Sequence, residues 1–136
     1  MTNQIEFTLP VFKRGSHIIT SHIVSRLPEL PGAGLLQVFI KHTSAALTLN
    51  ENADPSVLRD MDYILDKVVP EGNREYTHIL EGNDDMPAHA KSSLVGSSLM
   101  IPITNGELNL GIWQGIYLCE FRNFGGPRKL VLTLIS

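Results

Sequence analysis

Short strand-like runs recur from one end of the chain to the other, and they constrain the fold more than any other feature does. "IEFTLP" alternates Ile5, Phe7 and Leu9 with polar residues, the period of a half-buried strand. "SHIIT", "LLQVFIKH", "AALTLN", "SSLMIPI", "ELNLGIW", "GIYLCEF" and "KLVLTLI" read as further strands. Asn105-Gly106 between the fifth and sixth of these is a two-residue hairpin turn, since both positions favour positive φ. The joins are expected to be mostly hairpin-like.

Helical signals are fewer. "TSHIVSRL" reads as a short helix with Thr20 or Ser21 as N-cap, stopped by Pro28. Asp54-Pro55 is an acidic N-cap followed by a proline at the first helical position. Val57, Met61, Ile64, Leu65 and Val68 follow at helical spacing, which predicts one core-facing side, and Pro70 and Gly72 end the helix. Asp85 and Pro87 open another helix over "PAHAKSSLVG". The expectation is one α+β domain over residues 1–136, with a mainly antiparallel sheet and two or three helices.

At 43% hydrophobic and 18% charged residues, the 136-residue chain can bury a proper core and is not disordered. Its formal net charge of −3 argues against nucleic acid and membrane surfaces as partners. No apolar run reaches the roughly 20 residues of a membrane helix. "MTNQIEFTLP" lacks the basic and apolar regions of a signal peptide. Cys119, the sole cysteine, sits in an apolar run and suits an inert buried thiol in a reducing compartment. Together these predict a cytoplasmic protein.

The unusual polar residues collect at element ends. His42 closes a strand, and Asn50, Glu51, Asn52 and Asp54 crowd the approach to a helix. His42 reads either as a backbone-bonded or interface histidine, or as a metal ligand or proton carrier. Helix capping uses only one residue of the Asn-rich stretch. "HILEGNDDMPAH" supplies His78, Glu81, Asp84, Asp85 and His89, the nitrogen and oxygen donors a divalent cation takes. The alternative is a solvated acidic loop whose Asp85 caps the helix. Residues 71–86 have no clear period, and a loop so long in a small domain is usually functional or flexible. Nucleotide-binding glycine patterns and a Gly-x-Ser-x-Gly elbow are absent from the sequence.

"HTSAALTLNENADPSV", "EGNDDMPAHAKSSLVGSSL" and "GIWQGIYLCEFRNFGGPRKL" together resemble the YjbQ family, also called secondary thiamine-phosphate synthases. The likeness runs over nearly the whole chain, with Ile112 standing where many relatives carry threonine. The resemblance implies a small α+β fold assembled as a homotrimer, with the late strands and Trp113 as contact candidates. It also implies joining of an aminopyrimidine methyl diphosphate to a thiazole phosphate with release of pyrophosphate. In that reading His42, His78 and His89 surround the reaction, and His42, His89, Asp84, Asp85 and Glu120 hold a divalent metal, Mg²⁺ or Zn²⁺. Lys91, Ser92 and Ser93 hold a phosphate, while Asn50 and Asn52 position substrate. The competing readings are a metal-assisted hydrolase, a non-catalytic metal- or small-ligand-binding trimer, and histidines that merely stabilise subunit contacts.

Overall fold

A computed structural model describes residues 2–136, which form eight strands and three helices. In chain order these are β1 (Thr2–Thr8), β2 (Gly15–Ile18), α1 (Thr20–Val24), β3 (Ala33–Ile40), β4 (Ala45–Glu51) and α2 (Pro55–Val68). There follow α3 (Asp85–Val95), β5 (Ser98–Thr104), β6 (Glu107–Leu108), β7 (Gln114–Glu120) and β8 (Lys129–Ile135). The strands make two sheets instead of the single one expected, ordered β1-β8-β3-β5-β6 and β2-β7-β4, with every pairing antiparallel.

The period-two alternation decides how the layers stack. Leu36, Val38 and Ile40 of β3, Ile101 and Ile103 of β5 and Leu130, Leu132 and Leu134 of β8 all point to one side. They meet Ala45 and Leu47 of β4 and Ile116 and Leu118 of β7 in the main core between the sheets. The outer face of the small sheet is covered as well: Ala46, Cys119 and Phe121 pack there against Ala88 of α3 and Leu65 of α2. Coverage on both faces explains why β7 is buried from Gly115 to Glu120 without alternation.

Several expectations change. Among the described residues only β5 and β6 form a tight hairpin, with Asn105 at φ 52° and Gly106 at φ 78°; most other pairs join strands distant in the chain, such as β1 with β8. Helix α2 has the expected cap, Asp54 accepting from Ser56 N at 2.9 Å with Pro55 beside it. Its apolar side is only half-buried, however: Leu65 packs against the second core, but no residue of α2 is fully buried, and Tyr63, Ile64 and Val68 are exposed. The N-cap of α1 is Ile19, with no side-chain cap. Helix α3 is preceded by Asp84, so Asp85 is its first residue and does not cap it. The Asp85 carboxylate is engaged elsewhere.

Candidate functional site

Asp85 is 1% exposed, and a buried carboxylate needs compensation from charge and hydrogen bonds. Its Oδ1 lies 2.7 Å from Arg122 Nη1. Its Oδ2 lies 2.6 Å from His78 Nε2 and 3.2 Å from His89 Nε2. Helix geometry puts His89 four residues after Asp85 on the same face, while the long loop returns His78 to it. Burial alone raises the Asp85 carboxyl, but the His78 hydrogen bond and the charges of Arg122, His89 and His78 outweigh it and hold the pKa below its ordinary value.

His89 shows the arrangement most clearly. Its Nδ1 lies 2.9 Å from the Thr43 carbonyl oxygen, which only accepts, so Nδ1 carries the proton. In the neutral ring Nε2 is then a lone pair facing Asp85. A lone pair and a carboxylate oxygen at that separation repel unless a proton or a cation sits with them. One donor atom from each of His78, Asp85 and His89 lies within 4.8 Å of the others. Two imidazoles and one carboxylate form the donor set of catalytic zinc sites, which keep a further position open. A carbonyl fixing the rear nitrogen of a ligand histidine is the usual outer support of such a site.

Sequence reasoning had no role for Arg122, although "EFRNFGGPR" carries arginines two and eight residues after Glu120. Arg122 Nε donates to Asp84 Oδ2 at 2.8 Å and Nη2 to the Glu81 carbonyl at 3.0 Å, tying the loop to the start of α3. Asp84 also accepts from Asn123 N at 2.9 Å, so it braces the loop beside the cluster.

The other candidates fall elsewhere. Glu120 is 1% exposed and accepts from Arg128 Nε at 2.7 Å and Nη2 at 2.5 Å, which places it apart from the three donors. Lys91 is buried and reaches Asp66 at 2.5 Å, and Ser92 donates to the Ala45 carbonyl at 2.7 Å. Asn52 donates to the Gln114 carbonyl at 3.2 Å. Asn50 turns to the outer face of the small sheet, in a hollow lined also by Leu58 and Leu94.

His42 does not join His78 and His89, because its Nε2 accepts from Lys129 N at 2.8 Å. It lines a shallow hollow of about 240 Å³ with Thr43, Ser92, Ser93, Gly96 and Ser97. Burial first, then the charge of Arg128 and those of Lys129 and Lys41, push the His42 pKa below its ordinary value, although Glu120 opposes them. Positions 85, 89, 92 and 93 share one side of α3, so this hollow continues the line of the histidine–aspartate cluster, and Thr43 touches both.

A family model described as "UPF0047 protein YjbQ-like" matches residues 5–136. The UPF0047 protein YjbQ of Salmonella typhimurium is 51% identical over 136 residues, covering 98% of each chain. Its namesake in Escherichia coli O157:H7 is 46% identical over the same span. Among solved structures, an uncharacterised conserved protein of the YjbQ/UPF0047 family from Clostridium acetobutylicum superposes with a TM-score of 0.81 at 42% identity, covering 96% of this chain and 99% of that one. A conserved hypothetical protein from Thermus thermophilus gives 0.80 at 34% identity, over 93% and 97% of the two chains.

Proposed function

The chain belongs to the UPF0047/YjbQ family, and from that premise we propose that it is a zinc-dependent enzyme acting on a small phosphorylated molecule, with thiamine-phosphate-synthase-like transfer as the reaction. The observation that carries the reading is the convergence of His78, His89 and Asp85, one donor atom of each within 4.8 Å of the others, with both Nε2 atoms at 2.6 and 3.2 Å from Asp85 Oδ2. These three would hold the cation. Two imidazole nitrogens favour Zn²⁺ over Mg²⁺, which prefers oxygen donors and keeps its waters. Bound there, the cation supplies Lewis-acid neutralisation of the charge that builds on a leaving diphosphate.

The protein's own groups do the rest. Thr43 fixes the His89 tautomer, and Arg122 occupies Asp85 Oδ1, so that only Oδ2 is presented to the cluster. The hollow of His42, Thr43, Ser93 and Ser97 offers hydroxyls, and the nearby Lys129 adds positive potential for the anionic end of a substrate. In the transfer, the pyrimidine methylene–oxygen bond breaks and its electron pair leaves with pyrophosphate. The thiazole nitrogen lone pair then forms the new carbon–nitrogen bond. Holding both reactants side by side supplies the orientation such a step needs. Assembly as a homotrimer belongs to the same proposal, with exposed Ile112 and Trp113 available for contact.

The test is formation of thiamine phosphate from the two phosphorylated precursors, using wild type and His89→Ala, before and after EDTA. Turnover lost on chelation, restored by Zn²⁺ and absent from the variant supports the reading. Equal trace rates in all samples overturn it.

A further inference from the structure

We propose that the hollow between α2, α3 and the outer face of the small sheet is a second ligand site, which takes a small, neutral, planar heteroaromatic molecule. It lies across α3 from the histidine–aspartate cluster, because Leu94, which lines it, sits on the opposite side of the helix from Asp85 and His89. The inference does not rest on the metal reading.

The walls are apolar. Leu58, Met61 and Leu65 recur at three- and four-residue spacing along the underside of α2 and face Leu94 and Val95 across the gap. The gap exists because α2 rides off the sheet without burying a single residue completely. Its volume is about 290 Å³. That is about twice the ~150 Å³ of an apolar protein cavity that admits benzene, so one substituted ring or two fused rings fit.

The floor is polar and keeps donors to offer. Ser16, Thr48 and Asn50 come up from β2 and β4 on the outer face. The Ser16 hydroxyl is engaged, donating to Asp62 Oδ1 at 2.7 Å. The Asn50 Oδ1 accepts from Glu51 N at 2.8 Å, while its Nδ2 has no partner among the described residues. The Thr48 hydroxyl has only a marginal contact with the Leu49 carbonyl at 3.5 Å. An apolar hollow with a few convergent polar groups is the usual form of a small-molecule site. Donors on the floor call for acceptors along one edge of the occupant, such as ring nitrogens or a carbonyl.

Charge narrows the class further. Among the described residues no ionised side chain lines the hollow, so a phosphate or carboxylate gains nothing there. Cys119 closes the floor as a neutral thiol, since burial pushes its pKa up to about 11. It is a wall and not a nucleophile.

Benzimidazole is a suitable probe, and indene, of the same shape without ring nitrogens, is its control. Each is titrated into the isotope-labelled full chain while backbone amide shifts are followed, with and without Zn²⁺. The expected result is saturable benzimidazole binding, with shifts at Asn50, Leu58, Met61, Leu65 and Val95 and none at His78 or Asp85. Indene and the variant Asn50→Leu should each bind about tenfold more weakly, the loss of one to two neutral hydrogen bonds. Met61→Trp, which fills the gap, should abolish binding. Absence of saturable shifts in the wild type, or shifts centred elsewhere, overturns the site. Equal binding of indene overturns the heteroaromatic class. Because the expected result is the same with and without Zn²⁺, failure here is distinct from failure of the metal reading.

Discussion

His89 Nδ1 donates to the Thr43 carbonyl at 2.9 Å, while the Nε2 of the same ring lies 3.2 Å from Asp85 Oδ2. One nitrogen thus serves orientation, and the other is offered to the cluster together with His78. On the proposed zinc reading, His89→Ala should lower zinc uptake from about one per chain in wild type to a small fraction, because two donors rarely hold a structural or catalytic zinc. His42→Ala should retain it, since His42 is occupied by Lys129 N. Elemental analysis after dialysis against buffered zinc checks both. Equal zinc loss in the two variants would show that His42 belongs to the metal shell after all.

The Glu120–Arg128 pair is a structural centre by the same logic of burial. Arg128 is 4% exposed and Glu120 1%, and two hydrogen bonds join them. Arg128→Met leaves a buried carboxylate without its partner and should cost about 3–5 kcal/mol. Gly125→Ala should also destabilise, because a Cβ there would strike the Glu120 carboxylate. Urea unfolding measures both, and a loss under about 1 kcal/mol for Arg128→Met would contradict the assignment.

His42 predicts a pH dependence of stability. Its folded pKa lies below the ordinary value of 6.5, so the unfolded chain takes up the proton first as pH falls. The stability that His42 contributes is therefore present at pH 8 and declines as pH drops through about 6.5 toward the folded value. Protonation also removes the acceptor used by Lys129 N. The Tm difference between wild type and His42→Ala should shrink from pH 8 to pH 5. A difference that stays constant or widens would be incompatible with a neutral, accepting His42.

Helix α2 is held by its cap and a half-buried side and not by core residues. Asp54→Ala should cost about 1 kcal/mol. Its effect should be local: amide exchange should quicken along α2 while β8, in the middle of the main core, stays protected. Uniform acceleration in both elements would mean that α2 unfolds only with the whole domain.

The elements themselves were legible in the chain, because each has a local cause. The alternation of Ile5, Phe7 and Leu9, the Asn105-Gly106 turn and the Asp54-Pro55 start all act within a few residues, and each reappears where it was expected. Strand partnership beyond that one hairpin was not legible. Pairing Thr2 with Ile135, or placing β7 between β2 and β4, is decided by which apolar faces meet, and periodicity does not encode that.

The site divides along the same line. "HILEGNDDMPAH" disclosed that donors were concentrated in one segment, and helical spacing already related Asp85 to His89. That His78 returns to them, that Arg122 holds Asp85 from β7's far end, and that Thr43 orients His89 depend on contacts between residues far apart in sequence. The fates of Lys91 and Glu120 were equally hidden, since a charged side chain in a sequence does not reveal whether a partner awaits it in the interior. The sequence by itself determined local conformation and the inventory of reactive groups. Only the tertiary structure decided their company, because burial and charge compensation are properties of a packed chain.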